Sequence, residues 1–146
     1  MAKTTKKSRM NKYLFVTHNL KAGKEAEFRT YLDEWNRNAS EDDKRKQIKL
    51  EHERGFHSDI TIPINDSLIY CIWQVRNDLT SADLKEFLDS DESLYTPVAF
   101  MTNTVTLMDT KHPSFVECGM REHNFLGSTT TERTEGERAR ADPLAV

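Results

Sequence analysis

The sequence predicts an α+β domain in which a four-stranded antiparallel sheet is covered on one face by helices. Three observations lead there. The run Leu68–Arg76 is rich in β-branched and aromatic residues, holds no Gly or Pro, and is bounded by Asn65-Asp66-Ser67 and Asn77-Asp78, so it reads as a central strand. Its alternate positions Ile69, Cys71, Trp73 and Val75 form a purely apolar face for helices, whereas Leu68, Tyr70, Ile72, Gln74 and Arg76 mix polar and apolar groups on the other. Over residues 12–110 the elements follow as strand, helix, helix, strand, strand, helix, strand, the split βαβ order.

Residues 13–20, YLFVTHNL, supply the first strand, and Lys21-Ala22-Gly23-Lys24 breaks it. Ala26 or Phe28, Tyr31, Leu32 and Trp35 then recur at the three-to-four spacing of an amphipathic helix, with Glu25, Glu27, Arg29, Asp33 and Glu34 toward water. Ser40 with Asp43 three residues on is a capping pair for a second, highly charged helix over 41–54, which Gly55 stops. Its apolar content is only Ile48 and Leu50, which predicts a surface position. Residues 56–62 form the next strand. Pro63 limits its pairing, and the short turn at 65–67 makes a hairpin with the central strand. Thr80 and Asp83 open the third helix, whose inner stripe is Leu84, Phe87 and Leu88. The last strand covers about 101–108.

The first and central strands are apolar on both faces, and a sheet covered by helices on one side needs a second layer on the other. A partner subunit is the simplest source. Outside this domain, 1–11 reads as a basic disordered leader, 111–127 is apolar enough (Phe115, Val116, Met120, Phe125, Leu126) to pack as a C-terminal extension, and 128–146 reads as a disordered tail.

Composition narrows the function classes. Hydrophobic residues make up 36% of the chain against 31% charged, and the net charge is −3. The leader carries Lys3, Lys6, Lys7 and Arg9, so without those four charges the balance is −7, which argues against nucleic acid or an anionic membrane as partner. No run has the length of a membrane span, and the leader has no apolar core of a secretory signal. Two cysteines, one of them mid-strand, point to a reduced cytoplasmic protein.

The segment 19–28, NLKAGKEAEF, after a strand, and Ile72-Trp73-Gln74-Val75 followed by 81–88, SADLKEFL, resemble the dimeric α/β-barrel superfamily and its antibiotic-biosynthesis-monooxygenase (ABM) members. The resemblance covers about 12–110 and rests on element order and loosely patterned positions. It implies a ferredoxin-like domain forming a homodimer whose two sheets close a barrel, with pockets between each sheet and its own helices. Members include cofactor-independent monooxygenases, cyclases and isomerases, haem-degrading enzymes and proteins without known activity. Gln74 stands where many members have a Glu after the strand aromatic. Asn19 and Trp73 match two positions of the haem-degrading members, but 81–100 contains no His for an axial ligand, so neither haem nor another cofactor is expected.

His18 and His57 are the acid–base candidates, because imidazole titrates near neutral pH. Adjacent strands could bring the two rings together, but strand alternation does not establish that they share a face. Asp59, two residues from His57 on the same side, would complete a metal set only against the usual spacing rules, and no metal is expected. Trp73 is core bulk or the wall of a pocket for a planar ligand. Asn19 serves turn geometry or donates to a substrate oxygen, and Tyr70 and Gln74 line either a polar interface or an oxyanion site. There is no Gly-rich phosphate loop and no nucleophile elbow. Two functions remain open: a cofactor-free small-molecule enzyme (monooxygenase, cyclase or isomerase), with His57 or His18 as proton acceptor, or a non-catalytic homodimer that binds a ligand or a protein.

Overall fold

The computed structural model describes residues 11–115. Residues 1–10 of the leader expected over 1–11, the remainder of the extension from 116 and the tail over 128–146 lie outside the described residues, while Asn11 already belongs to the first strand. The element order is β1 (Asn11–Leu20), α1 (Glu25–Asn38), α2 (Glu41–Glu53), β2 (Phe56–Asn65), β3 (Leu68–Arg76), α3 (Ser81–Leu88) and β4 (Met101–Leu107). The strands form one antiparallel sheet in the order β2-β3-β1-β4. The fold is α+β, and this order is compatible with a ferredoxin-like fold. β1 and β2 run parallel with β3 between them, and β3 and β4 run parallel with β1 between them. Right-handed crossovers then carry α1 and α3 over the same face.

Local chemistry sets the element ends. Ser40 and Asp43 form a reciprocal capping box at the start of α2, and Thr80 and Asp83 form another at the start of α3, each satisfying two backbone N–H groups that a helix leaves without partners. Gly55 sits at φ +89 between α2 and β2, where a Cβ would also come within 2.7 Å of a Leu79 methyl. A side chain there would be strained and crowded together, which is why the helix stops at this residue.

β3 divides its faces as the alternation predicts. Cys71, Trp73 and Val75 enter a continuous core with Leu14, Val16, Phe56, Leu84, Phe87 and Leu88, while Ile69 packs at its margin. Among the described residues, α1 contributes nothing to that cluster. Its buried residue, Phe28, instead stacks on Phe100, as does Tyr31, and Trp35 meets Tyr95 edge-on. α1 therefore stands on an aromatic layer of its own.

The opposite face of the sheet is not uniform. Toward the start of β1, Tyr13 and Gln74 are buried, and Phe115 packs its ring 5.9 Å from that of Tyr13. Further along, Phe15 and Tyr70 pair their rings, and Ile60 and Ile62 on edge strand β2 are exposed by 46% and 39%. β2 runs on through Pro63 to Asn65, with register shifts at Ser58/Ile60 and Pro63/Asn65. Pro63 thus displaces the ladder without ending it, as an edge strand permits.

Candidate functional site

α2 lies at the surface, as its low apolar content predicts, but the side it turns to the domain is polar. Its buried residues are Gln47, Glu51 and His52. The Gln47 amide donates to the Glu92 carbonyl at 2.7 Å. Burial pushes the Glu51 carboxyl up to about 8, so at neutral pH it is mostly protonated and uncharged. His52, in the last turn, meets His57 across the Arg54-Gly55 turn: Nε2 of His52 lies 2.7 Å from Nδ1 of His57, and one of the two carries the shared hydrogen.

His57 sits opposite Gln74 of β3, on the face turned away from the core, because Phe56 takes the inward position. The register then slips. Ser58 pairs with Trp73 and Ile60 with Ile72, leaving Asp59 as the extra residue of a β-bulge. The bulge turns the Asp59 carboxylate toward its neighbours on β2 and β3. Oδ1 accepts a 2.9 Å bond from Gln74 Nε2, and the same oxygen lies 3.8 Å from Nε2 of His57. Oδ2 is buried and has no hydrogen-bond partner. Burial raises this carboxyl to about 6, with the Gln74 bond opposing the rise. Asp59 therefore exchanges its proton close to neutral pH, next to an imidazole that already touches a second imidazole.

His18 lies elsewhere. It is fully buried on the core side of β1, opposite Ile69 of β3 and Asn103 of β4. Its Nδ1 is 2.5 Å from Asn103 Oδ1, and the amide nitrogen of Asn103 donates to Asp89 Oδ1 at 3.0 Å. Lys85 bonds both Asp89 and the Asn103 carbonyl. Desolvation lowers the His18 pKa below its ordinary 6.5, against the Asn103 bond that raises it. Its Nε2 is buried without a partner.

The structure settles the open question of whether the two histidines meet: they do not. β3 separates β1 from β2, and His18 and His57 point to opposite faces. Of the residues singled out by sequence, His57, Gln74 and Tyr70 share the outer face. Asn19 is exposed near the end of β1, opposite Leu68 and Thr102. Trp73 is 5% exposed and packed into the core, with its indole N–H buried and without a hydrogen-bond partner, so it walls no open pocket on its sheet face. Burial pushes the neighbouring Cys71 thiol up to about 11, which leaves it a small core residue and no nucleophile.

Sequence reasoning passed over Glu51 and Asn103, ranked His52 low, and considered Asp59 only as a metal ligand. The available signal was the spacing of Gln47, Glu51 and His52, which places three polar groups on one side of a helix. Among the described residues, no group of three or more His, Cys, Asp or Glu side chains is arranged to hold a metal ion, and no helix is long and apolar enough to cross a membrane.

The model of a family described as a domain of unknown function, DUF8652, matches residues 13–113, which takes in all four strands and all three helices. Comparison with curated proteins gives no match, and comparison with solved structures gives none.

Proposed function

The chain belongs to the DUF8652 family, and we propose that it is a small-molecule enzyme working without a cofactor, with Asp59 as proton acceptor and His57 and Gln74 as its positioning partners. The observation that carries this reading is the Asp59 carboxylate itself. One oxygen is held by Gln74, the other is buried and bare, and the group is poised near pH 6. A general base works best when its pKa lies near the working pH and its lone pair is directed at the reacting proton. His57 has one ring nitrogen engaged by His52. It stands beside the acceptor, 3.8 Å from its Oδ1, and Asp59 takes over the role of proton acceptor first expected of His57 or His18. The reaction class is proton removal next to a carbonyl or enol, the step that cyclases, isomerases and cofactor-free monooxygenases of the resembling superfamily share.

The exposed Ile60 and Ile62 beside Tyr70 and Phe15 support homodimerisation through this face, as the resemblance implies. Two such sheets facing one another would enclose Asp59 in a barrel interior. A second reading, a non-catalytic homodimer that binds a ligand or protein, draws on the solid packing around Trp73. Deuterium exchange into small enolisable ketones, followed by proton NMR, separates the two. Catalysed exchange should fall about 10²–10⁴-fold in Asp59→Asn, the scale of a lost general base. Exchange no faster than in buffer across the panel would leave the binding reading.

A further inference from the structure

The outer face of the sheet is buried at one end and open at the other, within a single chain. His57, Gln74 and Tyr13 stand in one row across β2, β3 and β1, and they are exposed by only 5%, 0% and 2%. The rows beyond them on the same face carry Ile60 and Ile62 on β2 and Thr106 and Thr104 on β4, all exposed. A side chain that stands off a sheet is kept from water only where a further layer lies on it. α1 and α3 cross the other face, and α2 packs along the edge strand β2. Among the described residues, His52 reaches one end of the row at His57, Phe115 reaches the other at Tyr13, and Asp59 bonds Gln74 from the side. No described helix or strand supplies the layer over its middle.

The chain is aimed at that row. Met108, just past β4, still bonds the Tyr13 carbonyl at 2.9 Å. Two turns follow, closed by the His112 N–H on the Asp109 carbonyl at 3.3 Å and by the Phe115 N–H on the His112 carbonyl at 2.9 Å. They lead the chain back to the outer face, where the half-buried Phe115 ring lies 5.9 Å from that of Tyr13. Residues 116–127 continue from this point and hold Val116, Met120, Phe125 and Leu126. The row spans two strand spacings, about 10 Å. A segment of 12 residues reaches about 18 Å as a helix and about 40 Å when extended, so either form crosses the row.

We infer that residues 116–127 dock in cis on the His57–Gln74–Tyr13 row, with Met120, Phe125 and Leu126 as apolar contacts, and form the layer over that end of the sheet. The occupant is the chain's own extension, because the row is already buried by the atoms of one chain and Phe115 delivers the segment to it. The end that carries Ile60 and Ile62 is left uncovered, so the extension sets where a second copy can pack. Through Gln74 the extension also becomes one wall of the space beside Asp59. The docking does not depend on the activity proposed for that carboxylate.

The test uses the full chain in solution. In a uniformly ¹³C,¹⁵N-labelled sample, methyl protons of Val116, Met120 or Leu126 should show nuclear Overhauser contacts to the Tyr13 ring and to the Gln74 side-chain NH₂. In an equal mixture of labelled and unlabelled chains, isotope filtering should show none of these contacts between chains. Phe125→Ser combined with Leu126→Ser should lose the contacts to Gln74 and let its side-chain amide exchange faster with solvent. Absence of any contact from 116–127 to the row in the native chain would overturn the inference. Contacts found only between chains would overturn it too, giving the layer to a second copy, as would unchanged Gln74 exchange in a folded variant. The two readings on the native chain decide it even where the variant does not fold.

Discussion

Two corners of this domain set a carboxyl group near a buried imidazole, and they do so in opposite ways. At the α2–β2 corner the carboxyls themselves are buried. Glu51 and Asp59 lose their hydration and rise to about 8 and about 6. At the α3–β4 corner only the imidazole is buried. Asp89 lies in the C-cap of α3, bonded to Lys85, and reaches His18 through the neutral Asn103 amide. The comparison teaches that an amide spacer lets a fold orient a buried histidine without paying for a buried charge, whereas placing the acid inside makes the site respond to pH.

The two corners should therefore give stability slopes of opposite sign. Glu51 and Asp59 have folded pKa values above their ordinary ones, so the unfolded chain ionises first as pH rises. Their contribution to stability is complete below about pH 4 and is lost as pH climbs through about 6 and then 8. His18 has its pKa lowered, so the folded state resists protonation, and stability is lost as pH falls below 6.5.

The largest effect is expected at Glu51. Chemical denaturation of Glu51→Gln should remove on the order of 5 kcal/mol of the stability loss seen between about pH 4 and pH 9, from the shift of about 3.5 pH units at about 1.4 kcal/mol each. A slope unchanged by the substitution would mean that the α2–β2 corner is not a desolvated acid site. Asp59→Asn should flatten the lower part of the same curve, between about pH 4 and 6, by about 3 kcal/mol, and leave a variant at least as stable as the native chain at neutral pH. A loss of stability at neutral pH would show that the ionised carboxylate is structurally needed. Asn103→Ala acts on the other corner. It strips the donor of His18 of its acceptor and should cost about 1–3 kcal/mol at pH 7, with the slope above pH 7 unchanged. A change in the alkaline slope would join two regions that the structure keeps apart.

Much of the fold was legible because its signals are local. The capping pairs at Ser40 and Thr80, the stop at Gly55 and the alternation of β3 each depend on neighbours within a few residues, and each stands where sequence placed it. The candidate site was half legible. His57, Gln74 and Tyr70 share a face because strand alternation puts them there. Glu51 and His52 were missed because the period of a helix does not reveal whether its polar side meets water or the domain interior. Asp59 acquired its role from a bulge, a one-residue slip set by pairing with β3. Whether His18 and His57 meet was not legible for the same kind of reason: which strand inserts between two others is decided by long-range pairing, and nothing near either histidine encodes it.

The order β2-β3-β1-β4 also has a consequence in time. Among the described strands β1 is the first the ribosome releases and β4 the last, yet they are neighbours, and Asn103 follows its partner His18 by 85 residues. Until β4 emerges, the nascent chain can close the β2–β3 hairpin and lay β1 beside it, but one edge of β1 stays open and the imidazole is unclaimed. Such late, distant pairing slows folding and exposes an unfinished strand edge to other chains. Chaperone dependence and aggregation during synthesis should accordingly respond more to changes in 101–107 than to changes of equal thermodynamic cost in the hairpin.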